Sequence, residues 1–216
     1  IAVIDTGVDL THPELAGHTT TGGASLNGAA SVTAGGGGVD PHGHGTHVAG
    51  IAAATADNGL GISGVAPLAT IIPVRVLGPT GGGWSSDVAA GITWAVDAGA
   101  EVINLSLGAS SQSQAMTNAI TYAMANGVVV VAAAGNGGAN GAVNYPAADN
   151  RTLAVASIDP SRGISGFSTH GSYVDLAAPG SGVLSTTPNG SYEYKSGTSM
   201  ATPFVSGVAA LLIGLD

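Results

Sequence analysis

The chain has 216 residues, of which 44% are apolar and 8% are charged, and this composition predicts one globular domain with a sizeable core. Its formal net charge is −9, with only 4 Lys and Arg residues, which argues against a nucleic acid or an anionic membrane as a partner. The chain contains no cysteine, so disulfides, thiolate metal sites and a cysteine nucleophile are excluded. No apolar run is long enough to span a bilayer, and no basic segment followed by an apolar one opens the sequence.

Short apolar runs alternate with helical patterns along the chain. Strands are predicted at residues 1–4, 70–77, 101–107, 128–134, 152–158 and 173–178, and helices at 46–54, 85–98, 112–126 and from Ser199 onward. Alternation of continuous apolar strands with helices is typical of a parallel sheet that is covered on both faces. The predicted fold is therefore an α/β domain with three layers, α/β/α, and a mostly parallel central sheet. Residues 35–38 and 81–83 are predicted to be loops within this one unit.

Three polar residues fall where predicted strands end. Asp5 follows the first apolar run, Ser106 lies near the end of the third strand, and Asn136 follows the fourth. Ligand groups in parallel α/β sheets gather beyond the carboxyl ends of the strands. We therefore expect these residues to lie at one edge of the sheet.

Ser199 begins the last predicted helix. The apolar residues that follow it recur at helical spacing: Val205, Val208, Ala209, Leu211 and Leu212. At a helix start the first backbone N–H groups have no helical partner and the dipole is positive, so a developing anion is favoured there. Ser199 is therefore a candidate nucleophile, and the alternative is a serine that only caps the helix.

A second informative stretch holds three histidines in six residues, at His42, His44 and His47. One interpretation is a metal site, because imidazole is the commonest metal ligand, but the aspartate that a His-x-His-x-Asp-His motif requires is Thr46 here. The other interpretation is that one histidine is a general base and that His47 packs in the structure. An imidazole with a pKa of about 6.5 is half available near neutral pH, which suits proton transfer from a hydroxyl.

These groups combine into a possible catalytic set. A hydroxyl nucleophile needs a base within hydrogen-bond reach, and the base needs a carboxylate that fixes its tautomer. Asp5, His44 and Ser199 supply the three groups. Asn136 lies in a Gly-Asn-Gly sequence that by itself is a turn, but beside a serine nucleophile its amide is a candidate oxyanion donor.

The motifs around these residues resemble those of the subtilisin-like serine peptidases, the subtilases. Ile4-Asp5-Thr6-Gly7 is similar to the aspartate motif of the family, residues 44–50 to its histidine motif, and residues 197–203 to its serine motif. The order Asp, His, Ser is that of subtilisin. The resemblance spans nearly the whole chain and implies a subtilisin-like fold and a serine endopeptidase with an acyl-enzyme intermediate and Asn136 in the oxyanion hole. A metallohydrolase and an inactive binding module with the same fold are the alternatives.

The resemblance also implies a substrate cleft between two short segments. They would flank an extended peptide and hydrogen-bond its backbone: Gly81, Gly82 and Gly83 on one side, and Ser106, Leu107 and Gly108 on the other. The alternative is a flexible loop and a strand terminus. Small residues at Ala133, Ala134 and Gly135 predict a roomy, uncharged pocket, and hence broad cleavage after large apolar or aromatic residues.

Structural calcium is a further implication of the resemblance, and catalysis itself would need no cofactor. Residues 56–62 resemble the calcium loop of the family, with Asn58 and backbone carbonyls as oxygen ligands and with Glu14 in place of the usual aspartate. The alternative there is an Asn-Gly turn. A second, weaker site is expected around Ala147 and Asp175.

The resemblance sets expectations about context as well. Residues 1–216 form a single peptidase domain that looks trimmed at both ends relative to the family. The implied location is extracellular. The implied partners are polypeptide substrates and a propeptide outside this sequence, and the implied state is a monomer that binds neither nucleic acid nor membrane.

Overall fold

A computed structural model describes residues 1–20, 23–26, 28 and 33–215 of the chain. Its strands are β1 (Ala2–Asp5), β2 (Ala24–Ser25), β3 (Thr33–Ala34), β4 (Ile72–Arg75), β5 (Val102–Leu105), β6 (Val129–Ala133), β7 (Leu153–Ile158), β8 (Leu176–Pro179), β9 (Val183–Thr187) and β10 (Ser191–Lys195). Its helices are α1 (His44–Ala53), α2 (Ser85–Asp97), α3 (Gln114–Ala125) and α4 (Thr198–Ile213), with a 3-10 helix at Gly36–Gly38. None of the helices in these ranges is long and apolar enough to cross a bilayer.

Eight of the described strands form one sheet in the order β3-β2-β4-β1-β5-β6-β7-β8. Only β2 and β3 pair antiparallel, and the other neighbours in this sheet are parallel. The strands β9 and β10 form a separate antiparallel hairpin. The mostly parallel sheet that the sequence predicts is therefore confirmed.

Alternating residues of the sheet face two separate cores. One core holds Ile4 of β1 with Ile92 of α2 and Ile120 of α3. The other holds Val3 of β1 with residues of α1 and with Met200 of α4. Because both faces of the strands are buried, the strands read as continuous apolar runs, and the three-layer α/β/α prediction is confirmed.

The bounds of most predicted elements differ from the observed ones by one to three residues, and three differences need an explanation. The sequence analysis did not predict the short strands β2 and β3 or the β9–β10 hairpin, whose strands carry mostly polar residues and bury few of them. The predicted loop at residues 35–38 contains the 3-10 helix. Helix α1 begins at His44 instead of residue 46, because side chains outside the helix bind the N–H groups of its first turn.

The topology brings distant residues to one edge of the sheet. The adjacent parallel strands β1, β5 and β6 end beside one another, so Asp5, Ser106 and Asn136 lie at their carboxyl ends. The β9–β10 hairpin packs on α1, where the hydroxyl of Ser185 donates to the His47 carbonyl oxygen at 2.7 Å. These elements form the support for the site.

Candidate active site

Asp5 and His44 form a close pair at the edge of the sheet. The Asp5 side chain is fully buried, and its carboxylate accepts from His44 Nδ1–H at 2.7 Å and 2.9 Å and from the Thr6 backbone N–H at 2.7 Å. Nδ1 of His44 therefore carries the hydrogen, and Nε2 is left as the basic nitrogen. The sequence prediction that these two residues meet agrees with this geometry.

The close approach of β1 and α1 depends on glycine and on Thr6. A Cβ on Gly45 would collide with the Gly7 carbonyl oxygen, so only glycine lets the helix start lie this near the strand end. The Gly45 backbone N–H donates to Thr6 Oγ1 at 2.9 Å. Thr6, which follows Asp5, thus binds Gly45, which follows His44.

The protonation of His44 is controlled by its surroundings. Burial opposes the charged imidazolium, but the Asp5 carboxylate and its hydrogen bond outweigh burial, so the pKa of His44 lies above its ordinary value of 6.5. Lys195 acts against this rise and Asp40 supports it. The arrangement therefore stabilises the imidazolium that a general base becomes after it takes a proton.

Ser199 lies in the first turn of α4 and is held by Ser106. The Ser199 hydroxyl donates to the Ser106 carbonyl oxygen at 3.1 Å, and the Ser106 hydroxyl donates to the Ser199 carbonyl oxygen at 2.8 Å. No hydrogen bond joins Ser199 Oγ to His44 among the residues that the structure describes. Ser106, which holds Ser199 by these two bonds, lines the same cavity as His44.

Buried polar side chains fix Ser106 itself. The Asn104 amide of β5 donates to Ser106 Oγ at 2.9 Å, and the Ser206 hydroxyl of α4 donates to Asn104 Oδ1 at 2.9 Å. All three side chains are buried. These bonds tie the middle of α4 to β5, and the Ser106–Ser199 bonds tie its first turn to the same strand end.

Asn136 is oriented by the residue before the nucleophile. Its Oδ1 accepts from the Thr198 backbone N–H at 2.9 Å and from the Thr198 hydroxyl at 3.1 Å, so its Nδ2 points elsewhere. A Cβ placed on Gly197 would lie 3.5 Å from Asn136 Nδ2 and 3.6 Å from the Ser199 backbone nitrogen. Two N–H donors therefore border the same space beside Gly197, as an oxyanion hole requires.

A cavity of about 350 Å³ adjoins His44, and both predicted walls of the cleft line it. Its lining includes the six predicted residues Gly81, Gly82, Gly83, Ser106, Leu107 and Gly108. Leu77 and Gly83 form an antiparallel bridge, which fixes the first wall. Apolar side chains such as Val88 and Met116 form its inner side.

Ala134 and Gly135 lie apart from this cavity, next to the Asn136 turn. Ala134 is fully buried and its carbonyl oxygen accepts from the Tyr173 hydroxyl at 2.7 Å. Asn144, which the sequence does not single out, lies between Gly108 and the end of β6. Its amide donates to the Ala133 carbonyl oxygen at 2.8 Å, and a Cβ on Gly108 would collide with it. A neutral amide therefore lies against both Gly108 and residue 133, beside the small residues that predict the pocket.

The three clustered histidines do not converge on a common point. His44 Nδ1 is bound to Asp5, and His47 Nε2 donates to the Glu193 carbonyl oxygen at 2.9 Å. Burial lowers the pKa of His47 to about 4, and its side chain is fully buried. His42 is exposed and lies edge-on to His44 with 6.2 Å between ring centroids. The geometry favours a base and a packed histidine over a metal site, and no group of three His, Asp or Glu residues in the described ranges could hold a metal.

The predicted calcium residues Glu14 and Asn58 meet through a hydrogen bond. Asn58 Nδ2 donates to Glu14 Oε2 at 2.9 Å, while Asn58 Oδ1 accepts from the Leu60 backbone N–H at 2.9 Å. The other carboxylate oxygen accepts from the Ile62 backbone N–H at 2.9 Å and the Tyr192 hydroxyl at 3.0 Å. A cation needs oxygens directed at one point, and here N–H and O–H groups face the buried carboxylate, so this arrangement does not fit calcium.

The second predicted pair, Ala147 and Asp175, is also engaged by protein groups. The Thr152 hydroxyl lies 3.1 Å from the Ala147 carbonyl oxygen and 2.9 Å from that of Pro146. Asp175 Oδ2 accepts from the Ala154 backbone N–H at 2.9 Å. Protein donors thus engage both the carbonyl oxygens at residues 146–147 and the Asp175 carboxylate, and the residues present do not fit a cation.

Sequence reasoning missed several residues that support the site: Thr6, Asp40, Asn104, Asn144 and Thr198. Asn104 carried a usable signal, because it is a polar residue within the apolar run of β5. The others act through contacts with residues far away in the sequence, and nothing in their immediate neighbourhood indicates those contacts.

Comparison with known proteins agrees with this geometry. The model of the subtilase family matches residues 1–215. Thermitase from Thermoactinomyces vulgaris is 51% identical over 212 residues, which are 98% of this chain and 74% of that protein. A thermophilic serine proteinase from Bacillus sp. (strain AK1) is 47% identical over 98% of this chain and 51% of that protein. Among solved structures, Sphericase has a TM-score of 0.90 and 38% identity over 100% of this chain and 76% of its own.

A parallel α/β sheet with these motifs at one edge, and with these relatives, defines a subtilisin-like serine endopeptidase. The chain belongs to the subtilase family. The predicted family, fold class and enzyme class are confirmed.

Proposed function

We propose that the chain cleaves peptide bonds with Asp5, His44 and Ser199 as its catalytic triad. The observation that carries the proposal is the hydrogen bond of 2.7 Å from His44 Nδ1–H to the buried Asp5 carboxylate. It fixes one tautomer of the imidazole and leaves Nε2 free to accept a proton.

Ser199 supplies the nucleophile in this proposal. Rotation about its Cα–Cβ bond turns the hydroxyl away from the Ser106 carbonyl oxygen and toward His44 Nε2. His44 takes the hydroxyl proton while Oγ attacks the carbonyl carbon of the substrate, and it then gives the proton to the leaving amine as the C–N bond breaks. Water, activated by the same nitrogen, hydrolyses the acyl-enzyme ester and regenerates Ser199.

The oxyanion of each tetrahedral intermediate is received beside Gly197. Asn136 Nδ2 and the Ser199 backbone N–H donate to it, and the positive end of the α4 dipole favours the same charge. Support comes from the two hydrogen bonds that Thr198 makes to Asn136 Oδ1, because they hold the amide with its donor side free. The donors are therefore in position before the charge develops.

The substrate is a polypeptide that lies as an extended strand between residues 81–83 and 106–108, and cleavage follows large apolar or aromatic residues. Of the described residues that line the cavity between these two walls, none is Asp, Glu, Lys or Arg, which supports uncharged substrate side chains in that cavity. The preference at the cleaved bond rests on the small residues Ala133, Ala134 and Gly135, which lie outside it. Asn144 is a neutral amide and agrees with this preference. Family membership alone supports an extracellular location and maturation from a propeptide.

Labelling with an active-serine phosphonate tests the triad. We expect one equivalent of reagent to inactivate the enzyme, with the adduct mapped by mass spectrometry to Ser199, and no labelling of Ser199→Ala. Inactivation by strong chelators without any labelling would overturn the proposal in favour of a metallohydrolase. Peptide binding without turnover or labelling would overturn it in favour of a binding module.

A further inference from the structure

Asp40 is a buried carboxylate in the loop that leads into α1, and the triad does not include it. Its side chain is 8% exposed, and it accepts five hydrogen bonds. Oδ1 accepts from the Thr6 hydroxyl at 2.7 Å, the Gly43 backbone N–H at 2.8 Å and the His42 backbone N–H at 3.2 Å. Oδ2 accepts from the Thr46 backbone N–H at 2.8 Å and the Thr46 hydroxyl at 2.6 Å.

These bonds hold the backbone both before and after His44 in the sequence. Gly43 directly precedes His44, and Thr46 follows it by two residues in the first turn of α1. The N–H groups of a first helical turn have no helical partner, and a negative charge near them is favourable. Asp40 therefore fixes the backbone that carries the imidazole, in a helix whose N-cap residue, Gly43, has no side chain to do so.

Asp40 also joins the helix of the base to the strand of the acid. The Thr6 hydroxyl donates to Asp40 and accepts from the Gly45 backbone N–H at 2.9 Å, and Thr6 directly follows Asp5. The order of contacts is thus Asp5–Thr6, Thr6–Asp40 and Asp40–Thr46. Any displacement of the α1 backbone at His44 relative to the end of β1 therefore strains bonds in this set.

The charge of Asp40 acts on His44 as well as its geometry. Ionisable groups face His44 from each element around it: Asp5 at the end of β1, Asp40 and His42 in the preceding loop, His47 one turn along α1, and Lys195 at the end of β10. Lys195 opposes an imidazolium, and its charge is partly balanced by Glu193 at 3.0 Å. Asp40 and Asp5 are the two carboxylates of this group that favour it.

We propose that Asp40 is a positioning residue for catalysis, which holds His44 against Asp5 and stabilises the imidazolium formed in the reaction. The proposal rests on the proposed function, in which His44 is the general base. Asp40 touches neither substrate nor reacting atoms in it, and acts through α1 and Thr6.

The variant Asp40→Asn tests this role, because it keeps the size of the side chain and removes the charge. Its NH2 group would also face donors at one of the two oxygen positions, while its remaining oxygen still accepts. We expect kcat on a chromogenic peptide anilide to fall about tenfold with a nearly unchanged KM, since a misplaced base slows the reaction without weakening binding. The acidic limb of the profile of kcat/KM against pH moves to lower pH, because the remaining surroundings favour the imidazolium less.

Asp149→Asn is the matched control. Asp149 is a carboxylate that is 5% exposed and accepts from Arg151 and Gln112, and it does not line the cavity at His44. We expect this variant to lower the melting temperature and to leave the acidic limb in place. If Asp40→Asn behaves in the same way, with a lower melting temperature but wild-type kcat and limb, Asp40 is only structural and the proposal is overturned.

A second variant keeps the proposal testable if Asp40→Asn does not fold. Thr6→Val removes the hydroxyl between Asp40 and Gly45 and keeps both carboxylates, so we expect a several-fold loss of kcat with the acidic limb near its wild-type position. Wild-type kcat in folded Thr6→Val would then overturn the proposal. Failure of the phosphonate to label Ser199 in the wild type would instead overturn the proposed function, and this proposal with it.

Discussion

The two helices that begin at the same edge of the sheet, α1 and α4, have N-termini that are bound by groups of different charge. At α1 a buried carboxylate, Asp40, binds N–H groups on both sides of His44. At α4 the Thr198 N–H is bound by a neutral amide oxygen, that of Asn136. The negative charge that α1 receives permanently is thus absent at α4, where the positive helix end faces the space beside Gly197.

This difference matches the charge that each residue acquires in the proposed reaction. His44 becomes a cation, so fixed carboxylates around it lower the energy of that state. The substrate carbonyl oxygen becomes an anion, so a helix end without a fixed anion is the better partner for it. A helix N-terminus can therefore stabilise either sign of charge: a positive one where a carboxylate binds its N–H groups, and a negative one where a neutral group does.

The largest expected effect comes from removing the fixed charge beside His44. We expect Asp5→Asn to lower kcat by about 10⁴-fold, the loss known for this change in a serine peptidase triad, because the amide favours the wrong tautomer of the imidazole. Asp5 raises the pKa of His44, and only the neutral ring accepts a proton. In the wild type, the acidic limb of the profile of kcat/KM against pH should therefore lie above about pH 6.5, the ordinary pKa of histidine. In the variant this pKa falls, so the limb moves to lower pH.

The measurement is kcat/KM between about pH 5 and 9, and Asp97→Asn is the control because Asp97 is exposed. A limb that stays where it is in Asp5→Asn would show that another group limits activity at low pH.

The next effect comes from the α4 side. We expect Asn136→Ala to keep KM and to lower kcat by about 10²–10³-fold, which is the loss known for the oxyanion asparagine of subtilisin and not a value derived from this structure. Asn140→Ala, an exposed asparagine of the same loop, should have wild-type kcat. Equal kcat for the two variants would remove Asn136 from the mechanism.

A smaller effect tests how the amide is held. Thr198→Val removes one of two hydrogen bonds to Asn136 Oδ1, each worth about 1 kcal/mol, so kcat should fall about fivefold. Thr198→Ser keeps the hydroxyl and should restore most of the activity. If serine and valine give the same kcat, the hydroxyl does not orient Asn136.

The smallest effect on catalysis is expected beyond the other end of α1, at Glu14. Glu14→Gln leaves donors without an acceptor and should cost about 2 kcal/mol of stability, or about 4–8 °C in melting temperature, with kcat unchanged. The difference between wild type and variant should be the same in excess calcium and in excess EDTA, because protein donors occupy the carboxylate. A difference that grows with calcium would identify Glu14 as a calcium ligand.

The parts of this fold that could be predicted are those whose pattern is local. The strands β1, β4, β5, β6 and β7 of the central sheet are continuous apolar runs, and the helices between them carry ordinary helical patterns. The β9–β10 hairpin was not predicted because the burial along its strands is irregular. Its strands are nevertheless joined through Asn189 and Gly190, whose φ values are 66° and 70°. An Asn-Gly pair with both φ values positive is a strong hairpin signal, and it was available in the sequence.

The candidate site divides in the same manner. Asp5, His44, Ser199 and Asn136 could be named from motifs. Asp40 and Thr198 could not, because their importance lies in what they bind across the fold. The pocket prediction counted the small residues near Ala134 and could not include Asn144, whose amide reaches the Ala133 carbonyl oxygen from another loop.

The reciprocal bonds between Ser106 and Ser199 have a kinetic consequence. The Ser199 hydroxyl rests on the Ser106 carbonyl oxygen, and the attack proposed for it requires a different staggered position. In the proposed mechanism one hydrogen bond of the hydroxyl is exchanged for another of similar strength, so we expect the two rotamers to be close in free energy. Rotations of exposed side chains take picoseconds to nanoseconds, so we expect a later step to limit turnover.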